Sequence, residues 1–425
     1  VNNHLFAVSL ILVSLILLGA ATVSGLVMVV AAPFLLYLLG SALLNGEAPK
    51  LTIARSLSRS RVLPGESVEV TVTVANEGSA VRELLIEDLL PHGLRVTHGQ
   101  SCASTTLPSG RQISYSYTVT GSRGTYEFTR VSLSSAGDLP LASRVIRYEI
   151  EDELVTLPDH RALSRIPIAP RRTLVYSGTL PARRGGEGTE FFDIREHGGE
   201  PLRHINWRAS ARTPDRLYVN EFQQERVADV AVLLDLRRRV YPSDDGRFLF
   251  DAAASAAASL ADVVLDAGNR VGLLGYGLSL DWLTPGFGKR QKHRLFTRIA
   301  RFEPGDSHVF YRLDAIPDQL FPAGSQVVLV SPLAGDDYRS LERLQTIGYA
   351  VMVVSPDPVA HEWRVVGRPS LENSRRLCRA ERITMLSRLR RSGVAVIDWD
   401  TAEPLEQAVS RSFAAIRAAW RRRYR

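Results

Sequence analysis

The chain is poor in cysteine, methionine and lysine. Cys102 and Cys378 are its two cysteines, and they lie far apart. Two distant thiols build neither a disulfide framework nor a Cys-rich metal site, and such sparse use suits a reducing compartment. Lysine occurs only at positions 50, 289 and 292, so nearly all of the 52 basic residues are arginine. The net charge is +7 and the isoelectric point about 9.6. An arginine excess favours anionic partners such as lipid headgroups, an acidic protein face or nucleic acid. Established nucleic-acid modules are missing, so nucleic acid is not the expected partner. Also missing are a G-x-G-x-x-G turn, a Walker lysine motif, a nucleophile elbow and a zinc-protease helix. Gly275-Tyr276-Gly277 is a lone G-x-G and carries little weight. No cofactor and no small-molecule substrate is therefore expected.

Charge itself is absent from Leu5 to Leu44. One membrane-spanning helix needs roughly 20 apolar residues, and this run is about twice as long. Ser24-Gly25 interrupts it near the middle. The expectation is two transmembrane helices within residues 1–50, about Leu5–Val23 and Leu26–Leu44, with Pro33 inside the second. A cleaved signal peptide fits poorly, because no basic segment precedes the run and the run is too long. Lys50, Arg55, Arg59 and Arg61 follow at once. That places the flank, and with it the rest of the chain, on the cytoplasmic side of the cell membrane.

With 425 residues, of which 45% are hydrophobic, the chain can bury a sizeable core. From 51 to 150 the pattern has period two. Val68, Val70, Val72 and Val74 alternate with Glu69, Thr71 and Thr73, and Ile113 to Val119 alternate likewise. Pro64-Gly65, Asn76-Glu77-Gly78 and Pro91-His92-Gly93 punctuate the strands. This reads as an all-β, Ig-like sandwich that packs or spaces, without chemistry of its own. Residues 151–226 read as a linker and a signature segment. From 227 to 425 short branched runs recur at Val230–Leu234, Val271–Leu274, Val327–Val330, Val351–Val354 and Val394–Ile397. Strands buried on both faces by helices have that composition. Phe248–Leu265 is Ala-rich and reads as a buried helix, and Leu405 to Trp420 as an amphipathic last helix. The C-terminal expectation is a doubly wound, Rossmann-type α/β domain.

One stretch fits neither a core element nor a solvated loop: "REHGGEPLRHINWRASART", Arg195 to Thr213. Its residues Arg195, His197, Gly199-Glu200 and Arg203-His204-Ile205-Asn206-Trp207-Arg208-Ala209-Ser210-Ala211-Arg212 resemble the signature of the DUF58 family. So do Gly185-Gly186 and Glu190-Phe191 before it, and Leu217-Tyr218-Val219 with Glu221-Phe222 after it. The resemblance extends over essentially the whole chain. It implies a transmembrane pair, a β-rich region and a von Willebrand factor A-like domain, and as partner a MoxR-type AAA+ ATPase. His197 stands where a Tyr is usual, and Glu200 where an Asp is. A metal-binding A domain carries Asp-x-Ser-x-Ser after its first strand. Here Asp235 is kept, but Arg237 and Arg239 take both serine positions, leaving Ser331 as a lone supporting hydroxyl. Guanidinium has no acceptor atom, so a degenerate site without metal is expected.

The functional expectation is a membrane-anchored, cytoplasm-facing A-domain protein that acts through protein–protein contacts in a chaperone-like or assembly role. The signature would join the domains and form part of a partner surface, with no catalytic residue assigned. Arg195, Arg203 and Arg212 supply bidentate donors. Ile205 and Trp207 would share a buried strand face, and Asn206 and Ser210 suit turns or caps. Two alternatives stand beside it. One is a hydrolase using the histidines, glutamates and Ser210 of the signature; the other is an exported surface-binding protein of opposite topology.

Overall fold

The uncharged N-terminal run folds as two helices, Asn3–Ala21 and Gly25–Leu44, in the computed structural model. The structure describes residues 3–423 except 45–49, 137–142, 165, 169, 171–172, 200–201, 214, 242–245, 308, 311 and 316–319. A turn at Thr22–Ser24 reverses the chain, and Val23 takes the left-handed φ of 48° that so short a reversal demands. Gly19 lets the helices meet: a Cβ there would lie 3.0 Å from the Met28 Cγ. Phe6, Leu10, Leu17 and Leu36 point outward and are more than half exposed. Among the described residues, one helix is long and apolar enough by itself to cross a membrane, Phe248–Asp266. It is mostly buried within the protein.

The chain divides into two compact units, Val1–Leu157 and Pro158–Arg425. In the first, alternation becomes two facing sheets. One has four strands in the order Leu51–Leu57, Val68–Asn76, Gln112–Gly121, Leu94–His98. The other has five, in the order Arg61–Val62, Ser143–Thr156, Gly124–Ala136, Val81–Asp88, Cys102–Leu107. Val68, Val70, Val72 and Val74 turn to a shared core against Leu84, Ile86, Phe128 and Leu133 of the opposite sheet. The last strand runs to Thr156, past the boundary expected at 150.

Arg55 corrects one element of the sequence reading. It is not a cation flanking the apolar helices but a buried member of the sandwich. Its guanidinium bonds Asp88 at 2.9 Å and Asp152 at 3.0 Å, and lies over the Phe128 ring. Burial raises the Asp88 carboxyl above its usual range, against the lowering by the Tyr117 hydroxyl and Arg55. Lys50, Arg59 and Arg61 remain exposed.

The second unit holds a mainly parallel sheet. Its order is Leu280–Gly286, Arg270–Tyr276, Tyr218–Asp235, Gln326–Val330, Ala350–Pro356, Ala395–Trp399, with only the first strand antiparallel to its neighbour. The helix Gly246–Asp266 packs against it with Leu249, Phe250, Ala253 and Ala257 fully buried. The expected linker turns out to be largely β structure. Thr173–Glu196 runs antiparallel to the first part of Tyr218–Asp235, from Thr173 opposite Ala228 to Glu196 opposite Tyr218. One strand of 18 residues therefore serves both a two-stranded ribbon and the centre of the parallel sheet. The hydrophobic code changes along it, from mixed polarity in 218–226 to unbroken burial from Val227 to Asp235.

Candidate functional site

The ribbon carries the signature at its tip, where the chain passes from Glu196 to Tyr218. Gly199 takes φ +110°, open to glycine and strained for other residues, and its N–H donates to His197 Nδ1 at 3.3 Å. Ile205 bridges to Val219, and both side chains are buried. Asn206 then caps the single helical turn Trp207–Ser210: its Oδ1 accepts from the Ala209 N–H at 2.9 Å. Its Nδ2 donates to Asn220 Oδ1 at 2.7 Å, and its backbone N–H to the Tyr218 carbonyl at 2.8 Å. Ser210 Oγ accepts from the Tyr218 N–H at 2.9 Å and faces the Tyr218 carbonyl at 3.4 Å. These two polar residues thus stitch the helical turn to the strand beneath it.

Trp207 is the point where expectation and structure part. It opens the helical turn and does not share a strand face with Ile205. Its side chain is 65% exposed, with Leu202 71% exposed beside it in the chain. A strand period of two would have put positions 205 and 207 on one side. The Asn206 cap breaks the strand between them, so Ile205 anchors and Trp207 projects. Arg195, Arg208, Arg212 and Arg216 are exposed around the tip. Arg195 reaches the Glu196 carbonyl at 3.5 Å, and Arg216 pairs with the Glu196 carboxylate. Glu200 lies outside the described residues, as does the side chain of Arg203.

The second candidate lies at the other end of the same strand. Asp235 closes the central strand, Ser331 follows the neighbouring strand, and the crossover between them is where doubly wound sheets hold ligands. The Arg237 guanidinium lies between the carboxylates of Asp235 and Asp337. Its Nε and Nη2 bond the two oxygens of Asp235 at 2.9 and 2.7 Å. Its Nη1 and Nη2 bond those of Asp337 at 3.0 and 2.7 Å. Ser331 Oγ donates to Asp235 Oδ2 at 2.5 Å, and the Tyr276 hydroxyl sits 3.4 Å from Nη2. Arg237 and Asp235 are wholly buried. Burial alone would lower the guanidinium's proton affinity, but Tyr276 and the two carboxylates outweigh it, so Arg237 stays above its ordinary value. Desolvation raises the Asp337 carboxyl despite Arg237. The residues present do not fit a divalent ion. Arg239, the other substituted position, is solvent-exposed and 3.8 Å from Asp336. Asp337 was missed in the sequence reading, although the Asp336-Asp337 pair after a buried strand was a usable signal.

A third concavity, about 280 Å³, lies between the helices Pro358–Val366 and Glu372–Arg391. Its walls are mainly apolar, and Arg375 stacks over the Trp363 ring at 4.4 Å.

The signature tip and the Asp235–Arg237 cluster cannot form one site. They stand at opposite ends of the strand Tyr218–Asp235, roughly 55 Å apart at ~3.3 Å per residue.

No curated protein matches the chain. Among solved structures, a FixG-related protein from Vibrio parahaemolyticus is 10% identical. The match covers 25% of this chain and 95% of that one, at a TM-score of 0.19. The CARDB domain of a Pyrococcus furiosus protein is 14% identical over 26% of this chain and 90% of that one, at a TM-score of 0.17. Likenesses so slight carry no argument. A family model does match, that of "protein of unknown function DUF58", over residues 193–392. That span opens just before the ribbon tip and takes in the Arg237 cluster, and over it the chain is similar to the DUF58 family.

Proposed function

We propose that the chain is a membrane-anchored, cytoplasm-facing interaction protein with a vWA-like C-terminal domain. Its ribbon tip engages a MoxR-type AAA+ ATPase in a chaperone-like assembly role. One observation carries the reading: an exposed tryptophan, with exposed Leu202 and Leu217 nearby in the chain, on a hydrogen-bonded tip among four exposed arginines. Large exposed apolar groups ringed by polar ones mark binding surfaces, and Trp and Arg lead the residues that dominate binding energy. The commitment of Ser210 to the backbone of Tyr218 favours scaffold over nucleophile.

The membrane reading rests on the helices Asn3–Ala21 and Gly25–Leu44, with 19 and 20 residues and no charge within them. At ~1.5 Å per residue each is about 30 Å long, the thickness of a hydrocarbon core. The vWA-like reading rests on the family resemblance and on an aspartate-ended central strand beside one that Ser331 follows.

The test is co-purification of the full chain with a MoxR-type ATPase from the same cell, comparing Trp207→Ala with the parent. Loss of a hot-spot tryptophan weakens binding by about 2 kcal/mol or more, roughly 30-fold. Unchanged capture by a folded Trp207→Ala protein refutes the tip as the partner surface.

A further inference from the structure

We infer that Arg237 is the resident cation of the crossover site: a covalently attached replacement for a divalent ion, joining the loop after the central strand to the start of the helix Asp337–Ile347. The inference goes beyond the ribbon-tip reading and does not depend on it.

Four of the guanidinium's five N–H groups have carboxylate partners, two on each aspartate. The two aspartates are about 100 residues apart in sequence and are held on either side of one planar fork. Backbone groups also bond the two carboxylates. The Arg237 N–H donates to Asp235 Oδ1 at 3.0 Å, and the Ala334 N–H to Asp337 Oδ2 at 2.7 Å. Ser331 Oγ accepts from the Leu333 N–H at 2.9 Å while donating to Asp235. Leu333 adopts a left-handed φ of 72° in that loop. The Arg237 Cζ lies 5.2 Å from the Tyr276 ring centroid. This is a cage of oxygen atoms around one buried positive charge. Oxygen cages of that kind hold hard divalent ions, and a guanidinium that arrives with the chain needs no ion supply.

Two consequences follow. The join between the loop and the helix does not respond to divalent ion concentration. A partner carboxylate also cannot bind here through a bridging metal, because the cation is a wholly buried guanidinium. Among the described residues of this loop, Arg238 and Arg239 are exposed outside the buried fork.

The experiment uses the full chain in detergent, with thermal melts in EDTA and in millimolar MnCl₂, and titration of free Mn²⁺ by its paramagnetic resonance signal. The parent protein is expected to melt identically in both and to remove no Mn²⁺. Arg237→Ser leaves two carboxylates, the Ser331 and Tyr276 hydroxyls and the introduced hydroxyl around the vacated position. It should melt lower in EDTA, recover at least half of that loss in MnCl₂, and bind one equivalent of Mn²⁺ saturably where the parent binds none. Arg237→Met, of similar length but without charge or oxygen, should lose stability and recover less than Arg237→Ser. Adding Asp337→Asn to Arg237→Ser should abolish the recovery. Saturable Mn²⁺ binding by the parent, with a rise in its melting temperature, overturns the inference. So does an Arg237→Ser protein that ignores Mn²⁺, whether it folds in EDTA or in neither condition.

Discussion

Arginine is the residue that organises the interior of both units. Arg55 and Arg237 are each buried and each hold two carboxylates. Removing one partner of such a group leaves an uncompensated charge and costs about 3–5 kcal/mol. Asp337→Ala should therefore lower stability by about that amount in urea titrations, while the exposed pair Arg376–Glu372 can be cut for ~0.5 kcal/mol or less. Asp229 supplies a signed pH effect. Desolvation raises its carboxyl above the usual range, and Arg270 at 3.2 Å only partly compensates. A raised folded-state value stabilises the fold below the unfolded-state value, and that contribution is lost as pH rises through the folded-state value. At neutral pH the charged form is thus the unfavourable one. Asp229→Asn should melt no lower than the parent at pH 7, and any advantage should vanish under acid conditions below the unfolded carboxyl range. A variant that melts clearly lower at pH 7, with the gap closing in acid, contradicts this sign. In the sequence all these arginines look alike. Arg55 read as a flank to the apolar helices because its partners Asp88 and Asp152 lie 33 and 97 positions away.

At the scale of elements, the tip of the ribbon is built by one cap and one anchor. Asn206→Ala removes the bond to Ala209 and the tie to Asn220, and should cost about 1 kcal/mol. Ile205→Ala should cost more, about 2–5 kcal/mol, because its side chain is buried against the strand. Trp207→Ala, exposed, should stay within ~0.5 kcal/mol while weakening the partner. Chemical denaturation of the three variants separates these roles; a large stability loss for Trp207→Ala would put its side chain in a packed environment instead. The strands of the parallel sheet were legible because branched apolar runs buried on both faces leave an unmistakable composition. The ribbon was not, because residues 173–196 are charged, Gly-rich and irregular, with repeated register shifts along the pair. Their strand state comes from the partner strand and not from their own pattern.

For the whole molecule, the prediction concerns orientation. If both apolar helices span the membrane, the sandwich and the α/β unit lie on one side, next to Lys50, Arg59 and Arg61. Protease added to intact cells should leave both units uncut, and permeabilised cells should lose them. Cleavage of either unit in unbroken cells reverses the topology and favours an exported surface-binding protein. The basic isoelectric point bears on the same question, since a cationic protein beside an anionic membrane face gains attraction that added salt weakens.

Composition and periodicity alone determined the uncharged helical pair, the alternating β region and the α/β alternation. Each of these is a local pattern, repeated within a few residues, and local patterns are set by backbone geometry and burial. Only the tertiary structure decided that Arg237 turns inward while Arg239 turns outward, that Asp337 completes the cluster, that Trp207 projects while Ile205 packs, and that signature and crossover stand at opposite ends of one strand. Those outcomes depend on which distant side chain arrives opposite, and on where a cap ends a strand. A single buried charge takes its meaning from partners that the chain supplies about a hundred residues later.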